Sequence, residues 1–239
     1  GRDQFYHDVS APFKDTIVPI CWLESNEPSY LLYTSGTTGK PKGVQRDTGG
    51  YLVTLAASIR HIYDCKAGDT IFTTSDVGWV VGHSYIVYAP LIMGMTTIVY
   101  EGMPTSPDAG IWWRLIEQYK VNVLFSSPTA ARVLKKQDTK WMQQYDLSSL
   151  KYFFLAGEPL DEPTAQWLTD NLPVPIIDHY WQTETGSPMI TYLPGIMRQS
   201  GLDSKDISVR IGSPGFASFG YDAHVLNENT GEECLAGEK

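Results

Sequence analysis

An α/β fold is predicted: a largely parallel β-sheet with covering helices, followed by a short β-rich segment toward the C-terminal end. Two patterns and one size argument support it. Short apolar, β-branched or aromatic runs alternate with longer stretches of helical periodicity, which implies parallel pairing with helices on the sheet faces. The residues with chemical character fall just after the apolar runs, where ligands bind in such sheets. The 239 residues, 42% of them hydrophobic, suffice for a substantial core in one or two units.

Residues 1–28 are polar, proline-containing and weakly periodic, and read as a lead-in segment. The apolar run Tyr30-Leu31-Leu32-Tyr33 predicts a buried strand over 30–34. A loop rich in glycine and hydroxyl residues follows, and a helix is expected over 48–63. Further strands are expected over 70–74, 96–100, 121–125, 152–155 and 174–177. Helices are expected between them over 83–93, 110–119, 129–136 and 162–171, the last opened by Asp161 before Glu162-Pro163. Trp112 and Trp113 belong to no motif and are assigned to the core. Residues 187–210 read as loop, with Pro188, Pro194 and Gly195, and 211–239 as short strands and turns that include a strand over 221–226. The expected layout is a lead-in (1–28), an α/β core (29–190) and a loop with a small β segment (191–239), without internal repeats.

The densest chemistry lies in Tyr33-Thr34-Ser35-Gly36-Thr37-Thr38-Gly39-Lys40-Pro41-Lys42-Gly43. Four hydroxyl residues, three glycines and two lysines suit the wrapping of a polyphosphate. Glycines let backbone N–H groups close on an anion, hydroxyls donate to phosphate oxygens, and lysines neutralise charge. The spacing differs from a Walker A loop, because only two residues separate Gly36 from Gly39 and Pro41 follows Lys40. The plain alternative is a flexible Gly/Thr turn.

A net charge of −9 argues against nucleic acid or an anionic membrane as the main partner. It leaves ATP open, since Lys40, Lys42 and Arg46 form a local basic cluster. The three cysteines, Cys21, Cys65 and Cys234, have no metal-ligand spacing, and reduced thiols in the cytoplasm, or alternatively the mitochondrial matrix, fit them. No apolar stretch of 18 residues and no leader with a basic-then-apolar pattern occurs. Nothing in the sequence speaks to oligomeric state.

The 33–43 segment resembles the phosphate-binding loop of AMP-forming acyl-CoA synthetases, members of the adenylate-forming superfamily with luciferases and peptide-synthetase adenylation domains. Asp76-Val77-Gly78-Trp79-Val80-Val81-Gly82-His83-Ser84-Tyr85 resembles the acyl-pocket segment of the short-chain branch. Ala156-Gly157-Glu158-Pro159-Leu160 and Asp178-His179-Tyr180-Trp181-Gln182-Thr183-Glu184-Thr185-Gly186 resemble its two nucleotide-binding segments. The motifs stand in the family's order, and the resemblance runs from about Pro28 to the end.

The resemblance implies ATP, Mg2+ and CoA (as a substrate), and activation of a small carboxylate to an acyl-adenylate and then a thioester. It assigns the β- and γ-phosphates to Thr34, Ser35, Gly36, Thr37, Thr38, Gly39 and Lys40, with Lys42 in a catalytic contact. Gly157, Glu158 and Pro159 would supply the adenine-contacting turn. Asp178, His179, Tyr180, Trp181 and Gln182 would flank the purine, with Tyr180 or Trp181 as its flat face. Thr183 would reach the α-phosphate and Glu184 would bind Mg2+. Taken singly, each lysine and Glu184 could be an ordinary surface charge. Trp79, Val80, Val81 and Trp181 would wall a small acyl pocket. Ala156 stands where acetate enzymes of this branch carry Val and propionate enzymes Ala, which favours propionate over acetate; a close-packed strand end is the plain alternative. His83 fits either the acyl and CoA channel or a helix start. The family's later ribose-binding Asp motif, hinge and C-terminal lid are not matched, so the chain is expected to be an internal piece of a synthetase. A nucleotide-binding fragment without full catalysis and an acetyl-CoA synthetase remain alternatives; the Trp-Gln-Thr-Glu-Thr-Gly form disfavours an amino-acid-activating domain.

Overall fold

The computed structural model describes residues 2–34 and 39–238. Its centre is a five-stranded sheet of order β4-β3-β5-β6-β7, built from β3 (Thr70–Thr73), β4 (Thr96–Ile98), β5 (Val123–Ser126), β6 (Tyr152–Leu155) and β7 (Ile176–Asp178). Every pairing in it is parallel. Strands β3, β5 and β6 are buried at all four positions, as expected of parallel strands covered on both faces. Their alternate side chains feed two separate cores. Ile71, Val123, Phe125, Tyr152 and Phe154 pack on one face with Leu55, Ile59, Tyr63 and Tyr85. Phe72, Leu124, Phe153 and Leu155 pack on the other with Trp112, Trp113, Ile116, Leu134 and Leu168.

Helix α1 (Thr48–His61) and α2 (residues 80–92) cover the first face; α3 (Ile111–Tyr119), α4 (Pro128–Lys135) and α5 (Glu162–Asn171) cover the second. Three helix starts are capped by side chains, which satisfies N–H groups that have no partner within the helix. Asp47 accepts from Gly50 N–H at α1, Ser127 from Ala130 N–H at α4 and Asp161 from Thr164 N–H at α5.

The structure corrects several sequence expectations. The first strand, β1 (Pro28–Thr34), lies outside the parallel sheet and pairs antiparallel with β2 (Lys42–Asp47), a segment with no strand pattern of its own in the sequence. β1 is not buried: Tyr30 and Leu32 pack against the core while Leu31 and Tyr33 are 51% and 68% exposed. A hairpin resting on a core by one face has this alternation. Helix α2 begins at Val80 rather than His83 and passes through a π-helical stretch, His83–Tyr88. Within the supposed loop 187–210, Pro194–Gln199 forms a short helix, with proline in its first turn where its missing N–H costs nothing. The strand expected over 221–226 is only a bridge between Leu226 and Glu233; the small antiparallel sheet pairs Ile190–Thr191 with Phe216–Ala217.

Candidate active site

The carboxyl ends of the parallel strands converge on one cleft. Thr74, Ser75 and Asp76 follow β3, Ser126 and Ser127 close β5, Ala156 and Gly157 follow β6, and Asp178 ends β7. A cavity of about 510 Å3 opens there, lined by Thr74, Ser75, Asp76, Trp79, Val80, Val81, Phe125, Ser126, Ser127, Ala156, Gly157, Trp181, Gln182 and Thr183. A second depression, about 370 Å3, shares Gly157 and Trp181 with it and adds Glu158, Pro159, Asp178, His179, Tyr180, Gly212 and Pro214. The expected acyl-pocket residues Trp79, Val80, Val81, Ala156 and Trp181 thus meet in one cavity, beside the two segments expected to hold the nucleotide.

Gly157 makes the junction possible. Its φ of +100° is open to glycine and strained for residues with a Cβ, and it turns the chain sharply out of β6. The Glu158 carboxylate points away from the junction: it accepts from Thr129 N–H at 2.8 Å and from the Thr129 hydroxyl, and pairs with Arg132 at 3.0 Å. The Thr129 hydroxyl, then Arg132, hold it below the usual carboxylate range. Glu158 therefore braces α4. Asp178 accepts from Leu160 N–H at 3.1 Å, which ties β7 to the residues beyond the turn, and burial raises its pKa.

The 178–186 segment divides its side chains between core and cleft. His179 is 2% exposed. Its Nδ1–H donates to Leu155 O at 2.6 Å, so Nε2 accepts from the Tyr63 hydroxyl at 3.0 Å. Burial pushes its pKa down to about 4, and the imidazole is a neutral group held at both ring nitrogens by protein partners, at the margin of the second depression. Trp181, 8% exposed, packs edge-on against Tyr85 at 5.5 Å and presents its remaining surface to the cavity. Tyr180 is exposed, and Gln182 Nε2 donates to its hydroxyl at 2.7 Å. Thr183 lines the cavity. Glu184 is exposed, and its carboxylate accepts no hydrogen bond among the described residues.

The expected phosphate loop is placed in part. Ser35, Gly36, Thr37 and Thr38 lie outside the described residues. Thr34 ends β1, Lys42 opens β2, and Gly39, Lys40 and Lys42 are exposed without lining either cavity. The hairpin is nonetheless tied to the cleft, because Arg46 of β2 donates from Nη1 to Glu184 O at 2.7 Å and from Nη2 to Thr183 O. His83 stacks on Tyr30 at 4.8 Å, and burial lowers its pKa. Ser126 and Ser127 were not singled out from the sequence, although a polar pair closing an apolar strand before Pro128 marks a strand end at the binding edge; Ser126 Oγ accepts from Thr74 Oγ1 at 2.8 Å. No cluster of three metal-ligating side chains exists among the described residues. A single unpaired carboxylate at Glu184 fits a hard cation that arrives on substrate phosphates, better than a resident ion in a protein cage.

The two cavities lie side by side at the carboxyl end of the parallel sheet, and the chain belongs to the AMP-binding enzyme family, whose model matches residues 3–239. Over all 239 residues it is 57% identical to a propionate–CoA ligase of Escherichia coli and 56% identical to one of Salmonella typhimurium. It is also 41% identical, over 98% of its length, to acetyl-coenzyme A synthetase 1 of Candida albicans, of which it covers 33%. The chain spans 37% of the length of each bacterial ligase.

Proposed function

We propose that the protein containing this chain is an AMP-forming short-chain acyl-CoA synthetase that prefers propionate to acetate, and that this chain supplies its acyl and nucleotide subsites. The observation that carries the reading is the shared wall of the two cavities, formed by Gly157 and Trp181. On this reading a short carboxylate lies in the first cavity, against Ala156 and Trp181, beside the α-phosphate of a nucleotide laid on 157–159. A carboxylate oxygen attacks the α-phosphorus, the bond to pyrophosphate breaks, and an acyl-adenylate forms. The CoA thiol then attacks the acyl carbonyl and AMP leaves.

The chain's own groups act by placement and charge. The backbone of 157–159 and the faces of Tyr180 and Trp181 hold the base. The Thr183 hydroxyl donates to the α-phosphate, and Lys42 with the hairpin tip neutralises the leaving pyrophosphate. Mg2+, when bound through Glu184 and phosphate oxygens, screens the phosphate charge. Among the described residues no helix is long and apolar enough to cross a membrane.

Propionate preference rests on Ala156, which is 5% exposed and lines the same cavity as Trp181. Valine at 156 would fill the volume that the second methylene-sized unit of propionate needs. In the full-length protein, Ala156→Val should lower the propionate-to-acetate ratio of kcat/KM about 10-fold, the scale of one methylene in an apolar pocket. Acid-dependent AMP formation with acetate, propionate and butyrate measures it. An unchanged ratio would remove Ala156 from the pocket, and this ground for preferring propionate would go with it.

A further inference from the structure

We propose that Arg46, on the hairpin strand that follows the phosphate loop, is a positioning residue that sets the backbone of Thr183 and Glu184 for the reaction. The inference rests on the function proposed above and adds a residue to which no role was assigned beyond a local basic charge. Arg46 lies 137 and 138 positions from the two carbonyls it holds, Thr183 O and Glu184 O. Both bonds come from one planar guanidinium, a two-pronged fit that an ammonium group does not reproduce.

The surroundings are built for this contact. The guanidinium lies 5.7 Å from the Tyr51 ring centre. Ser84 Oγ donates to Gly186 O at 2.8 Å and, having used its proton there, accepts from the Tyr51 hydroxyl at 2.7 Å. Three carbonyls of one turn, at 183, 184 and 186, are therefore held from outside by Arg46 and Ser84. The turn is braced from within by Thr185 and Gly186 N–H groups donating to Gln182 O, each at 3.2 Å. Gly186 has φ +73°, and a Cβ there would come within 3.0 Å of the Arg46 Cζ. The glycine leaves the space the guanidinium needs. Thr183 and Glu184 thus sit on a segment whose orientation depends on a side chain from the hairpin, and strand β2 is mechanically joined through Arg46 to the residue proposed to hold Mg2+.

Arg46→Lys in the full-length protein keeps the charge and loses the fork. It should cut kcat for propionate-dependent pyrophosphate exchange between about 10- and 100-fold, as misplacement of reacting groups does. It should also raise the Mg2+ concentration for half-maximal rate, with the KM for propionate unchanged. In the ligand-free protein, hydrogen exchange at the Thr185 and Gly186 amides should quicken, a readout independent of loaded-enzyme activity. Gly186→Ala, which displaces the guanidinium from the other side, should give the same signature, and the double variant should be little worse than either single one. Glu184→Gln serves as the reference for lost Mg2+ binding. If Glu184→Gln shifts the Mg2+ titration while Arg46→Lys and Gly186→Ala lower only thermal stability, Arg46 is merely a structural tie and the inference falls. If the parent protein shows no carboxylate-dependent exchange, the proposed function falls and takes this inference with it.

Discussion

The imidazole of His179 shows how a residue at the margin of a cavity can also serve the core. It lies among Tyr63, Phe125, Phe154 and Trp181, with both ring nitrogens occupied by protein partners. Its pKa falls from 6.5 to about 4 because burial disfavours the cation. Between those values the unfolded chain binds a proton that the folded chain does not, so stability falls as pH falls across this window. Asp178 acts in the opposite sense at the acid end, because its raised pKa lets the folded state take up a proton first. The histidine's share amounts to up to about 3 kcal/mol between pH 6.5 and 4. His179→Gln should flatten this part of the pH dependence of urea unfolding. Equal slopes in the two proteins would mean that the ring is solvated and titrates normally. The motif from Asp178 to Gly186 was legible in the sequence as a unit, but not which of its side chains turn inward. That division depends on Tyr63 and Phe125, which are remote in sequence, so no local pattern reveals it.

Among elements, the strands of the parallel sheet were the easiest to locate. β3, β5 and β6 are apolar on both faces because helices cover both, and Tyr152–Leu155 matches its expected bounds. The Glu162–Asn171 helix also matches, since its start is written in Asp161-Glu162-Pro163. Asp161 accepts from Thr164 N–H at 3.0 Å and pairs with Arg132 at 2.6 Å, so it caps α5 and links it to α4. Asp161→Ala should destabilise the protein by about 1 kcal/mol, the usual worth of a lost cap, since the pair itself is partly exposed. An unaltered denaturation midpoint would show that solvent replaces the carboxylate at no cost. β2 was not legible because Lys42–Asp47 has one aliphatic side chain, Val44, and owes its extended form to pairing with β1. Pro194–Gln199 was read as loop because a six-residue helix presents little periodicity, and its proline resembles loop punctuation.

At the scale of the molecule, the parallel sheet brings residues more than 100 positions apart to one edge. Trp79, Ala156 and Trp181 meet in one cavity only because β3, β5, β6 and β7 lie side by side with their carboxyl ends aligned. Strand alternation and the position of motifs after strands made that edge foreseeable. The shape of the cavity, its shared wall with the nucleotide depression and the Arg46 tie were not foreseeable, since each depends on tertiary packing. In the function proposed above, a short carboxylate and a nucleotide occupy these adjoining cavities and react. The most direct test is carboxylate-dependent exchange of labelled pyrophosphate into ATP by the full-length protein, with acetate, propionate, butyrate and a set of amino acids compared at equal ATP and Mg2+. Exchange should require a short-chain acid and be strongest with propionate, weaker with acetate and weakest with butyrate, which meets the Trp181 indole. Exchange that needs no acid, or that amino acids support and these acids do not, would contradict that function.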